Sequence, residues 1–561
     1  MLKRTFIYLI LITFCTIVAV SLNLYFGTII SGYPVYPTRL PAKSKVLLIP
    51  LDSRPPCIHY VEQLARMAQI EIMLPPIELL DNYNQPAQQK ALREWLLRTI
   101  PQADAAIIST DMLIHGGLLA SRNVHGTSRD IEETLTLLQR VHAENPHIKL
   151  YGFSIIPRLL LADSYNNGNL QKLVTKYSVL KEQVSLFENP LDFKLLTDLE
   201  KKIPADIREN YLALYQQNTQ VNLKLIDLAE AGVLSALVLG QDDGMPFGLP
   251  NMEKQRLVHY VEQKNHLAER VFITRGTDEV ALTLLGRHVN LLNQYGPRIY
   301  VLYSQPAVPE MVMPFMPHTI RRTVQEKIAL IGGVEALSLE DADFILYVHA
   351  GSRKMTYRTM TAQAKTIRNL IEQGYKIALV DLSENYYAKE TLLPHLIQAN
   401  TDLTKLAAYA GWNTTSNSIG TAVTQGALFS GALERLEETN RLSLYAAHLT
   451  FLSERFVDDW YYQKDVQAVV NNALRDLDAN PYSLGNYHVK TNNLINRLLN
   501  DRAQHFFRQN LAHRPIVLFS SQGKQDYRLT ELHIKTQLPW DRTFEIRLEP
   551  ELSIVQIKSE K

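Results

Sequence analysis

Two adjacent carboxylates, Asp242 and Asp243, follow a short apolar run and precede Gly244. Neighbouring acids sharing a site cannot both ionise cheaply, so one carboxyl is driven towards its protonated form while the other stays charged. A protonated acid beside an ionised partner is what general acid catalysis requires. In glycosidases such a group protonates the leaving-group oxygen, and in some of them the substrate's own N-acetyl group is the nucleophile. The competing reading is a turn, Asp-Asp-Gly with Gly244 at positive φ. Paired Asp side chains also suit a divalent cation, and with Asp52, Asp111, His115 and His349 they would form a mixed oxygen and nitrogen ligand set. No HExxH-like spacing supports a metal centre, and no GxGxxG or Walker sequence marks a nucleotide site. No cofactor is therefore expected, a divalent cation being the one these residues could hold.

The other chemistry-bearing residues share one kind of position, just after an apolar run. They are Asp52 and Arg54; Asp111, His115 and Arg122; Arg158; Arg275; His349; Asp381; and Trp412, Asn413 and Asn417. Any one of them reads as a helix cap or turn residue. Many together, with His, Arg and acids among them, point to a shared cleft at the carboxyl ends of parallel strands. Arg54, Arg122, Arg158 and Arg275 would make that cleft favourable for an acidic sugar, a carboxylate or a phosphate. Trp412 beside Asn413 offers an indole face and an amide to a sugar ring, unless Trp412 belongs to the core. His115-Gly116-Gly117 leaves backbone free to approach a ligand. Thr277-Asp278-Glu279 reads as the acidic first turn of a helix. Cys57, after Pro55-Pro56 and near only His59, is a poor candidate nucleophile.

The elements that must position these groups alternate. Apolar runs open at Lys45, Glu71, Ala105, Lys149, Ala236, Val271, Ile299, Phe344, Lys376 and Leu406. Such short continuous runs read as strands buried on both faces. Amphipathic stretches lie between most of them: Asp130–His142, with a capping box of Asp130 and Glu133, then Pro250 onward, Thr277–Leu292, Thr319–Ile331 and Thr361–Gln373. The alternation predicts an α/β fold with a parallel-sheet body, barrel-like or doubly wound. Residues of about 163–235 read as a helical insertion capping the strand ends. The chain divides into an N-terminal segment 1–43, a body 44–417, and a helical C-terminal region 418–561 ending in a small β tail.

The formal charge of the 561-residue chain is +1, with no basic block, so no nucleic-acid partner is expected. Lys3 and Arg4 precede a stretch, Phe6 to Phe26, without a charged residue. About 20 such residues span a bilayer, and the flanking positive charges put the N-terminus in the cytoplasm. The expectation is a single-pass cell-membrane protein, held in the lipid bilayer by residues 6–26, with its body outside the cytosol. The alternative of a cleaved signal peptide lacks small residues at the right places, and Phe14 before Cys15 argues against a lipoprotein site. Pro34, Pro37 and Pro41 would make an extended spacer. With Cys15 in the anchor, Cys57 has no partner, so the body relies on its core.

The segments IPLDSRPPC, STDMLIHGGLLASR, SIIPR, LGQDDGMPFG, RGTDE, DLSENYYA and AYAGWNTTSNSIGTA resemble a bacterial family known as domain of unknown function 4127, over most of the chain from Lys45 to about Gln425. The resemblance implies no established activity and carries over no catalytic residue. From the residues themselves the expected function is an extracytoplasmic, glycosidase-like hydrolase of envelope or environmental glycans, with Asp242 and Asp243 as the acid pair. A metal-dependent hydrolase of phosphate or amide bonds is the second reading. A non-catalytic envelope protein that binds a glycan or small anion is the third.

Overall fold

A computed structural model describes residues 32–557 apart from 124, 162–167, 265, 413, 513 and 521–522. The apolar stretch of residues 6–26 and Cys15 lie outside the described residues. Among the described residues no helix is long and apolar enough to cross a membrane.

In chain order the strands are β1 (Gly32–Val35), β2 (Ser44–Ile49), β3 (Ile70–Met73), β4 (Ala105–Ser109), β5 (Lys149–Ile156), β6 (Ala236–Gln241), β7 (Val271–Arg275), β8 (Arg298–Tyr303), β9 (Val334–Glu335), β10 (Phe344–Gly351), β11 (Ile377–Ser383), β12 (Leu406–Ala410), β13 (Pro515–Ser520), β14 (Gly523–Gln537) and β15 (Arg547–Ile557). The fold is α/β, and its body is two open parallel sheets rather than one closed barrel. The first is six-stranded in the order β3-β2-β4-β5-β6-β7, and the second five-stranded in the order β12-β11-β10-β8-β9. Every apolar run singled out above forms one of these strands.

Alternation explains why the runs are continuous. In β2, Leu47 and Ile49 enter the core on one face of the sheet, and Val46 and Leu48 enter the core on the other. A strand covered on both sides has no polar face. The first sheet reverses direction between β2 and β4, the place where open parallel sheets hold ligands at their carboxyl ends.

Three helices, Gly168–Phe187, Pro190–Glu200 and Ala205–Glu230, form the insertion and have a small core of their own. Tyr211 and Tyr215 pin it to the end of β5 by donating to the carbonyls of Leu159 (2.6 Å) and Arg158 (2.7 Å). The helix after β12, Thr415–Arg435, is buried continuously from Thr415 to Gly431. It packs on β11 and β12 of the second sheet and on the helix Val280–Leu292 of the first. Its small residues allow that approach: a Cβ on Gly420 would lie 2.5 Å from Glu279 Cγ.

The tail is a four-stranded antiparallel sheet, β1-β15-β14-β13. Pro34 therefore sits in an edge strand opposite Val555, where a missing N–H is tolerated, and the proline-containing segment begins stitched to the tail. Two local expectations change. The helix expected from Asp130 starts at Ser128, and its capping box joins Thr127 to Asp130; Glu133 instead pairs with Arg93 and Arg129. The helix expected from Thr277 begins at Val280, which frees Thr277-Asp278-Glu279 for other contacts.

Candidate functional site

A cavity of about 730 Å³ lies at the carboxyl ends of the first sheet. Arg54 follows β2, Arg122 follows β4, Arg158 follows β5, Gln241 to Asp243 end β6, and Arg275 to Asp278 end β7. The second sheet adds Phe315 after β8, and Ser416 and Asn417 from the start of the buried helix after β12. The roof comes from the connection between β14 and β15, through Trp540, Arg542 and Phe544. Trp540 Nε1 donates to Ser53 Oγ at 2.9 Å, fixing the roof to the floor. The Arg542 guanidinium lies 4.7 Å from the Trp540 ring centroid and 4.9 Å from that of Tyr83.

Asp242 and Asp243 differ sharply. Burial alone would raise the Asp242 carboxyl, but the Arg122 and Arg158 guanidiniums outweigh it and hold it below the ordinary carboxylate value. Its Oδ2 accepts from Arg122 Nη2 at 2.6 Å and Nε at 3.1 Å, and its Oδ1 from the Asp243 amide at 2.8 Å. Asp243 is pushed up to about 7, first by burial and then by the Asp242 charge. Gly244 does not take the positive φ that a simple Asp-Asp-Gly turn would use.

A second buried group crosses the floor. Arg54 donates to Asp52 Oδ2 (2.6 Å) and to Asp278 Oδ1 (2.7 Å), so one guanidinium links two carboxylates from different strand ends. Asn417 Nδ2 also donates to Asp278, at 3.3 Å. Asp52, Cys57 and Asp278 place three ligand atoms within 4.8 Å of one another, the grouping closest to a metal site among the described residues. It fits a cation poorly. Arg54 already supplies positive charge to both carboxylates, and burial raises the Cys57 thiol well above its ordinary value, away from the thiolate that binds metal. The acid pair is not assembled with Asp111, His115 and His349 into a ligand group.

Unpartnered polar atoms gather at the floor: Gln241 Oε1, Arg275 Nε and Nη2, Ser416 Oγ and Asn417 Oδ1. Buried polar groups are normally satisfied, so this set is what a polar ligand would complete. Arg275 is 1% exposed, pairs with Glu326 through Nη1, and is lowered to about 9 by burial and then by Arg322. Gly276, at φ +81, is required beside it: a Cβ there would fall 2.1 Å from Ser416 Oγ.

Of the residues singled out in the sequence, the cavity brings together Arg54, Arg122, Arg158, Asp242, Asp243, Arg275 and Asn417, with Asp52 directly behind Arg54. Others turn inward. His115 Nδ1 accepts from the Gly126 amide at 3.0 Å, and burial lowers this imidazole to about 4. Gly116 and Gly117 take positive φ to pack against residues 81–87. His349 Nε2 donates to the Glu390 carbonyl at 2.9 Å. Asp381 accepts from the amides of Leu392 and Leu393 and from the Tyr409 hydroxyl. Trp412 is 5% exposed, meets Tyr60 edge-on, and borders a smaller neighbouring cavity. Asn413 lies outside the described residues. Asp278, Gln241, Ser416 and the roof were not anticipated as site residues.

Asp111 accepts from the Ile155 amide at 3.0 Å, tying β4 to β5. Burial pushes it from 3.8 up to about 7. Because the folded value lies above the unfolded one, its contribution to stability is complete below pH about 4 and is lost as pH rises to about 7. Asp111→Asn should remove that loss, on the order of 1 kcal/mol per pH unit. Urea unfolding of both forms on either side of the window measures it.

The fold and the cleft define an α/β protein with a polar, aromatic-roofed pocket at its strand ends and an adjacent carboxyl pair shifted in opposite directions. The chain belongs to the family described as "Protein of unknown function (DUF4127)", whose model matches residues 46–549. No curated protein matches the chain in sequence.

Proposed function

We propose that the protein is a glycoside hydrolase-like enzyme with Asp243 as general acid. The observation that carries this reading is the opposite shift of two adjacent carboxyls in one cleft: Arg122 and Arg158 lower Asp242 against its burial, while burial and the Asp242 charge raise Asp243 to about 7, so that part of it keeps its proton near neutral pH. Asp243 gives its proton to the glycosidic oxygen as the bond to the sugar breaks. Asp242 is engaged on both oxygens, so its part is to keep Asp243 protonated and to offset positive charge developing on the ring, not to attack. An N-acetyl oxygen of the substrate supplies the nucleophile, or water does; in either case the proton of the water consumed returns to the Asp243 carboxylate, which restores the acid. The roof of Tyr83, Trp540 and Phe544 suits the apolar face of a sugar, and the arginines suit an acidic one. The apolar stretch of residues 6–26 would anchor the enzyme in the cell membrane and direct the activity to envelope or environmental glycans outside the cytosol.

The test is a screen of the full chain against chromogenic glycosides, phosphates and amides, with and without a chelator. Chelator-resistant release from a glycoside, lost in Asp243→Asn, supports the reading. Chelator-sensitive release from a phosphate or amide overturns it in favour of metal-dependent hydrolysis. A ligand bound unaltered, with no turnover of any class, overturns it in favour of a binding protein.

A further inference from the structure

A second cavity, of about 290 Å³, adjoins the cleft. The two share Arg54, Asp243, Phe315, Thr414 and Phe544, so Asp243 stands at their junction. If Asp243 protonates the scissile oxygen, the sugar and its leaving group lie on opposite sides of it, and the two cavities are placed to take one each. We propose, resting on the hydrolase reading above, that the smaller cavity receives the leaving group and that this group is aromatic or aliphatic rather than a second sugar.

The walls argue for this chemistry. Pro56, Tyr60, Tyr386, Trp412 and Ile546 supply an apolar lining. One side is formed by an 11-residue π-helix, Phe456–Val466, a rare geometry that recurs at functional sites. Its polar side chains are already committed. Asp458 accepts from Tyr60 at 2.6 Å and from the buried Arg455. Gln463 donates to Asp458 and to the Phe544 carbonyl, and nearby Gln467 donates to the Thr543 carbonyl at 2.8 Å. Glu545 is held by Arg542. The Lys464 ammonium lies over the Tyr386 ring, 5.3 Å from its centroid, and Trp412 Nε1 has no partner. The cavity thus presents mainly flat apolar surfaces, with Asp458 and Glu545 committed to other partners and Asp243 left as the acid at the junction. A sugar ring needs acceptors as well as donors for its hydroxyls; an alkyl or aryl group needs neither, and it is stabilised by leaving water.

Two measurements on the full chain test the proposal. The first is independent of turnover: binding of free 4-nitrophenol, read by quenching of tryptophan fluorescence, in the wild type, in Tyr386→Ala at the half-exposed rim and in Gln463→Glu, which adds a charge to the apolar wall. We expect saturable quenching, weakened at least about fivefold in both variants and not displaced by a free monosaccharide, which the larger cavity would take. Absence of saturable quenching, or quenching in both variants as strong as in the wild type, overturns the proposal. The second compares an octyl glycoside with a disaccharide of the same glycone; octanol is the less acidic alcohol and so the poorer leaving group, and a preference for it must come from binding. We expect kcat/KM to favour the octyl glycoside by about tenfold or more, and Tyr386→Ala to erase the preference. A preference for the disaccharide overturns the proposal. Saturable binding of 4-nitrophenol without glycoside turnover would count against the hydrolase reading while supporting an apolar-group site.

Discussion

If Asp243 is the general acid proposed above, replacing it by Asn should lower glycoside turnover by about 10²- to 10⁴-fold, the usual worth of a positioned general acid. The amide keeps the size of the carboxyl but has no acidic proton to give. The wild type carries a pH signature that the variant lacks. Asp243 titrates at about 7 and is active when protonated. The rate should therefore be flat on the acid side and fall about tenfold per unit once pH passes that value. Asp243→Asn should flatten this alkaline limb. Because the raised value depends partly on the Asp242 charge, Asp242→Asn should move the limb to lower pH as well as reduce the rate. An alkaline limb that stays in place in Asp242→Asn would mean that the two carboxyls are uncoupled and that another group is the acid.

The largest expected effect on stability is at Arg54. Its guanidinium is 7% exposed and bonds to two buried carboxylates, Asp52 and Asp278. Arg54→Met leaves both acids without their cation in a poorly solvated place. Breaking such a buried pair costs about 3–5 kcal/mol, far more than an exposed pair does. Adding Asp52→Asn and Asp278→Asn to Arg54→Met should recover a large part of that loss, since the penalty lies in the orphaned charges and not in the missing methylenes. Urea unfolding of the three forms measures it. If the single variant is as stable as the wild type, the linkage of β2 to β7 through Arg54 is not structural. The same variant bears on metal binding. With the guanidinium gone, Asp52, Cys57 and Asp278 keep ligand atoms within reach of one another, and Arg54→Met should bind zinc more tightly than the wild type, as isothermal titration measures.

Much of this architecture is legible along the chain, for a physical reason. Strands covered on both faces must be apolar through their middle, and Val46–Ile49 of β2, Ala105–Ile108 of β4, Ala236–Leu239 of β6, Phe344–Val348 of β10, Ile377–Val380 of β11 and Leu406–Ala410 of β12 all are. The floor is legible for a related reason: whatever follows such strands is delivered to one edge of the sheet, which is how Arg54, Arg122, Arg158, Asp242, Asp243 and Arg275 meet. The direction in which each side chain turns is not legible there. His115 and His349 occupy the same kind of position, yet they face backbone groups from neighbouring loops. Asp278 looks like a carboxylate complementing a helix dipole because its guanidinium partner lies 224 residues away. The roof was hidden in the same way. Trp540, Arg542 and Phe544 lie between two β runs and carry no local sign of a cleft. Only the pairing of the tail strands brings them there, and the Trp540 bond to Ser53 spans 487 residues.

That span has a consequence for how the protein comes into being. During synthesis, folding proceeds from the N-terminal side, and contacts between distant residues form last. The first sheet, with its arginines and its carboxylate pair, is made several hundred residues before the indole that covers it. The nascent chain therefore carries an open, charged trough, and the pocket acquires a lid only when β14 and β15 have paired. The binding pocket is therefore completed late, and whatever it holds can be enclosed only after the tail has closed over it.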